Sequence, residues 1–139
     1  MDYPKTYSAD NMPPSVRAVV QAVLPRLLDG RHPALAALRE QLLRATIESV
    51  ELTGAGFFAD LIVPTDAPLA DPPNLVGGDA ELSISELPHG AGCVLFVENG
   101  RLSCLEGFTF GDEEWRERAE LLSIGRVTPL DPATSQRGG

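Results

Sequence analysis

The stretch Cys93-Val94-Leu95-Phe96-Val97-Glu98-Asn99-Gly100-Arg101-Leu102-Ser103-Cys104-Leu105-Glu106-Gly107-Phe108-Thr109-Phe110 reads as two strands joined by a two-residue turn. Asn-Gly tolerates positive φ at both central positions, as a type I′ hairpin requires. Counting outward from the turn, Glu98 faces Arg101, Val97 faces Leu102, Leu95 faces Cys104 and Cys93 faces Glu106. The period of two then gathers Cys93, Leu95, Val97, Leu102, Cys104, Phe108 and Phe110 on one face, the expected core face.

Upstream of this hairpin the period is also two. Thr46 to Thr53 is rich in β-branched residues, with Glu48-Ser49 breaking the alternation as a bulge or late strand start would. Gly54-Ala55-Gly56 is a turn, after which Phe57, Ala59, Leu61 and Val63 alternate with Phe58, Asp60 and Ile62. Residues 65–79 hold Pro68, Pro72, Pro73, three aspartates and Gly77-Gly78, and are expected to form a surface loop. Glu81 to Leu87 alternates again before Pro88-His89-Gly90.

The segments before Thr46 carry the helical period instead. Val16, Val19, Val20, Val23, Leu24 and Leu27 recur at helical spacing behind Ser15 as N-cap, with Pro25 inside and Gly30 as stop. A second helix runs from Pro33 to about Arg44 on Leu35, Leu38 and Leu42. After Gly111, the run from Asp112 to Leu122 predicts a third helix, acidic in its first turn and thin in its apolar face of Trp115, Ala119 and Leu122. The expected fold class is therefore α+β: two N-terminal helices, an antiparallel sheet of about five strands, one C-terminal helix and flexible tails. Residues 1–12 are expected to be a flexible lead-in, 13–127 one domain and 128–139 a flexible tail. A length of 139 residues supports one such core.

The net charge of -9 argues against nucleic-acid or anionic-membrane binding, which needs clustered Lys and Arg. No apolar run approaches the ~20 residues that span a bilayer, and Met1-Asp2-Tyr3-Pro4-Lys5 lacks the layout of a signal peptide, so the expected compartment is the cytoplasm. The charge is uneven. Residues 45–100 hold nine carboxylates, Glu48, Glu51, Asp60, Asp66, Asp71, Asp79, Glu81, Glu86 and Glu98, and no Lys or Arg. Two readings fit: carboxylates that keep a small domain soluble, or an acidic docking surface for a cationic protein.

Glu106 bears on a second hypothesis. The inferred register sets its carboxylate on the face of Cys104 and Phe108, where an unpaired charge is costly. Either Gly107 marks a bulge that turns it outward, or Arg101 or another base pairs with it, or it is a buried carboxylate with the raised pKa of a general acid or base. His32 and His89 have no metal-ligand spacing, so no metal site or cofactor is expected. Cys93 and Cys104, diagonal on one face, poorly match a disulfide and read as two buried thiols. Gly54-Ala55-Gly56 leads into a strand, not a helix, so it is no phosphate-binding loop. The terminal Gly138-Gly139 is like that of ubiquitin-like and sulfur-carrier proteins, but those folds begin with a hairpin rather than two helices.

The pattern Gly100-Arg101-Leu102 with Leu105-Glu106-Gly107-Phe108-Thr109-Phe110, together with Gly56-Phe57-Phe58, resembles small uncharacterised bacterial α+β proteins. The likeness covers residues 33–116. It implies a small intracellular α+β protein and carries no catalytic assignment.

The first expectation is a non-enzymatic acidic protein-binding domain, an immunity-type inhibitor of a basic toxin or effector. Its contacts would be Asp60, Asp66, Asp71, Asp79, Glu81, Glu113 and Glu114, with Trp115 as an aromatic anchor where exposed. The alternative is a small-molecule-binding or enzymatic domain using Glu106. A homodimer, with the thin third helix and the sheet covering one another, is a third possibility.

Overall fold

A computed structural model describes residues 3–131 of the chain. Seven strands and two helices follow in the order β1 (Lys5–Ser8), α1 (Pro14–Leu27), α2 (Pro33–Leu42), β2 (Thr46–Leu52), β3 (Gly56–Ile62), β4 (Leu75–Ile84), β5 (Ala91–Glu98), β6 (Arg101–Thr109) and β7 (Leu121–Thr128). The strands form one sheet in the order β1-β2-β3-β6-β5-β4-β7, every pair antiparallel.

Both helices lie on the same face. Val16, Val19, Val23, Leu24 and Leu27 of α1 and Leu35 and Leu38 of α2 share one core with Val50, Leu52, Phe57, Ala59, Leu75, Leu82, Leu95, Val97, Leu102 and Leu105. The helical spacing of the first set and the alternation of the second each supply one apolar side, and burying those sides together is what the fold achieves. Gln41 is the one fully buried polar side chain of α2. Its Nε2 donates to Pro68 O and Gly100 O, both at 2.7 Å, and its Oε1 accepts from Leu102 N–H at 2.9 Å. The loop between β3 and β4 is thereby tied to α2 and to the β5–β6 turn.

That turn has φ 54° at Asn99 and φ 79° at Gly100, the positive pair the Asn-Gly sequence predicts. Glu98 pairs with Arg101 and Val97 with Leu102, also as counted. The next pairs do not follow the count. Ser103 is an extra residue in β6, so Phe96 pairs with Cys104, Leu95 with Leu105, Val94 with Glu106 and Cys93 with Gly107. One inserted residue moves everything beyond it to the opposite face. Cys104, Glu106, Phe108 and Phe110 are therefore on the face away from the helices, while Leu105 and Gly107 are in the core. The energetic reason is direct: without the bulge Glu106 would enter an apolar layer. Gly107 is not the bulge but a seat, because a Cβ there would come within 2.1 Å of the Phe57 ring.

Four further expectations are corrected. No third helix forms. The backbone N–H of Trp115 donates to Gly54 O at 2.8 Å, and its indole N–H donates to Ser15 Oγ at 3.3 Å. A segment with so thin an apolar face gains more from these tertiary bonds than from a marginal helix. The sheet has seven strands rather than about five, because β1 lies in the expected lead-in and β7 in and beyond the expected third helix. The 65–79 loop ends early, at β4. Ser15 is not an N-cap: Pro13 takes that position without a side-chain bond, and Ser15 is buried inside α1. Of the expected 128–139 tail, Leu130 is buried and its N–H donates to Leu27 O at 2.7 Å; residues 132–139, including Gly138-Gly139, lie outside the described residues.

Candidate docking face

Because α1 and α2 occupy one side of the sheet, the register alone determines what the other side shows. Its central row crosses all seven strands: Thr6, Glu51, Phe58, Glu106, Val94, Asp79 and Thr128 stand in successive pairs. Acid and apolar side chains alternate along the middle of it. The next row holds Ser8, Ser49, Asp60, Cys104, Phe96 and Val76. On the other side, Phe108 stands between Gly56 and Gly92, and Glu81 pairs with Gly92 from β4.

The aromatics are only partly covered. Phe58 is 39% and Phe110 52% exposed, while Phe96 and Phe108 are half-buried. Phe108 and Phe110 meet edge to face with centroids 5.9 Å apart. A Cβ on Gly92 would come within 2.9 Å of the Phe108 ring, so the glycine provides the floor on which that pair rests. No described helix packs on this side.

Among the expected contacts, the face brings together Asp60, Asp79 and Glu81, joined by Glu51 and Glu106. Asp60 accepts from Ser49 Oγ at 3.3 Å. The other expected contacts lie elsewhere. Asp66 sits in the β3–β4 loop, where Arg44 donates to it at 2.8 Å and holds its carboxyl below the usual range. Asp71 belongs to the same loop, and Glu113 and Glu114 to the β6–β7 connection. Trp115 is 0% exposed, edge to face with Phe57 at 5.1 Å, so it is a core residue and no anchor. With the third helix gone, the homodimer in which that helix and the sheet cover one another loses one of its two surfaces.

Cys93 and Cys104 lie on opposite faces and are both free thiols. Burial pushes each up to about 12; Asp60 beside Cys104 adds to the effect there. His32 caps α2, its Nδ1 accepting from Ala34 N–H at 3.0 Å. Among the described residues no three His, Cys, Asp or Glu are grouped to hold a metal ion.

Glu106 is half-buried on the open face rather than in the core. An apolar groove of about 500 Å³ opens between α1, the end of α2 and β2, lined by Met12, Val20, Leu24, Leu42, Ile47 and Leu61. It is on the helical side, so Glu106 does not serve it. The sequence count places Phe108 and Phe110 on the core face, and the bulge at Ser103 moves them to the open one; Phe58, Val94 and Phe96 have the parity opposite to Phe57, Ala59 and Leu95 in the count as in the structure, but are not among the expected site residues.

No protein-family model, curated protein or solved structure matches this chain. No helix among the described residues is long and apolar enough to cross a membrane.

Proposed function

We propose that the chain is a non-enzymatic binding protein that docks a cationic protein on the open face of its sheet, in the manner of an immunity-type inhibitor of a basic toxin or effector. The observation that supports this is the joining, on one uncovered surface, of five carboxylates with partly exposed Phe58, Val94, Phe96 and Phe108. Strands β2, β3, β4 and β5 contain no Lys or Arg, and the basic residue of β6 is its first, Arg101. Carboxylates spread only for solubility need no apolar strip between them. An interface uses both: the strip to bury area and the charges to steer encounter and fix register.

The test is a paired capture from the source organism's lysate. Wild type, an Asp60→Lys/Asp79→Lys/Glu106→Lys variant and an Asp71→Lys/Glu113→Lys/Glu114→Lys variant of equal charge are immobilised side by side. The reading expects one basic protein retained by the wild type and by the second variant, released by moderate salt and absent from the first. Equal retention on all three columns, or retention on none, contradicts it.

A further inference from the structure

Resting on that reading, we propose what the partner presents to this face: an amphipathic α-helix laid across the strands, with Lys or Arg at positions i, i+7 and i+14 over Glu51, Glu106 and Asp79. Apolar residues at i+3 or i+4 and at i+10 or i+11 then cover Phe58 and Val94.

The argument is one of spacing. Neighbouring strands are ~4.8 Å apart, so Glu51, Glu106 and Asp79, each two strands from the next, repeat at ~10 Å with an apolar side chain midway. An α-helix rises 1.5 Å per residue, which sets heptad positions ~10.5 Å apart and the intervening i+3 and i+4 positions at ~5 Å on the same side. Both periods of the row are matched. An extended strand shows one face every ~6.8 Å and is out of step after a single pair. A polyproline helix repeats at ~9.3 Å, close to the carboxylates, but offers nothing on that side at the midpoint, leaving Phe58 and Val94 uncovered. Twist agrees in sense as well: a heptad stripe drifts left-handed by ~20° per repeat, and strands in a sheet rotate by about -20° each, viewed across them.

Charge complementarity makes the helix cationic, since the three polar positions between the terminal Thr6 and Thr128 of the row, Glu51, Glu106 and Asp79, are all carboxylates. The occupant is a different chain rather than a second copy. In α1 the basic residues are Arg17 and Arg26, and in α2 Arg39 alone, so neither helix carries a heptad pair of cations.

The test uses two synthetic helical peptides of equal composition, charge and helicity. One has lysines at i, i+7 and i+14 with leucines between them; in the other the lysines are moved off the heptad spacing. Affinity for the full chain is read by fluorescence anisotropy at low ionic strength. The registered peptide is expected to bind about tenfold more tightly, equivalent to ~1.4 kcal/mol. Glu106→Gln should remove that advantage and Asp71→Asn should keep it. Equal affinity of the two peptides overturns the helical register while leaving cationic docking standing. Failure of both peptides to bind overturns cationic docking and the register together.

Discussion

Glu106 stands between Phe58 and Val94 on the open face, yet its sequence neighbours Leu105 and Gly107 are sealed beneath the helices. Removing its charge should therefore leave the fold alone: Glu106→Gln is expected to shift the unfolding midpoint in urea by no more than an ordinary surface change, within ~0.5 kcal/mol. Gln41 is the opposite case. Gln41→Leu takes from Pro68 O and the Leu102 N–H the bonds Gln41 gives them in a dry setting, while Gly100 O keeps the one from Ala70 N–H, and a loss of ~1–3 kcal/mol is expected in the same measurement. The thiols give a pH prediction. Below the ordinary thiol value of 9.0 they are neutral in both folded and unfolded chains, and their contribution to stability is complete. Above it the unfolded chain ionises while Cys93, held at about 12, does not, so stability falls as pH rises from 9 toward 12. The fall should approach ~1.4 kcal/mol per pH unit for Cys93 and be shallower in Cys93→Ala, read from urea midpoints at both ends of the range.

At the scale of elements, the extra residue Ser103 determines which side of β6 is wet. Deleting Ser103 should straighten β6 without turning it over: Val97 still meets Leu102, Phe96 meets Cys104 with nothing between, and Glu106 stays on the open face, so the cooperative unfolding transition by circular dichroism is expected to survive and its loss would contradict the bulge. The same bulge explains how far the sequence could be read. The Asn-Gly turn, the first pairs beside it, the break near Glu48 and both helices were legible because each depends on local chemistry: positive φ, alternation, a 3.6-residue period. Beyond Ser103 the choice of register depends on what lies above and below the strand, the Phe57 ring over Gly107 and the apolar layer around Leu105, and no local signal carries that. The two edge strands were missed for a similar reason. β1 has four residues with one aromatic, and β7 pairs with β4 through two irregularities that erase its alternation. In the segment between β6 and β7, acids and a helical period promised a helix, but Trp115 found Phe57, Ser15 and Gly54 instead. The candidate site was legible in its charge and only in part in its face: Asp60, Asp79 and Glu81 could be named and Phe58 and Phe96 had the parity opposite to the core, while Phe108 and Phe110, beyond the bulge, read as core.

Across the whole molecule the charges are uneven along the chain. Residues 1–44, which supply both helices, hold six basic and four acidic side chains, whereas residues 45–100 hold nine carboxylates and no base. With a net charge of -9 and this run of carboxylates, a cationic partner is attracted from beyond contact, so association should be fast and steeply salt-dependent. Raising ionic strength from about 0.01 to 0.15 M contracts the Debye length from ~30 to ~8 Å, and the on-rate of the registered peptide should fall with it while its off-rate changes little.

The most direct measurement follows from the chain's five phenylalanines, of which Phe58, Phe96, Phe108 and Phe110 lie on the open face and Phe57 in the core. With fluorine-labelled phenylalanine incorporated throughout, a soluble paramagnetic agent should broaden the four outer resonances and spare Phe57. Adding the registered cationic peptide should then protect Phe58 and shift it most, with Phe57 unmoved. If the outer resonances are as protected as Phe57 in the free protein, or if the peptide binds without disturbing Phe58, the open face is not the docking surface.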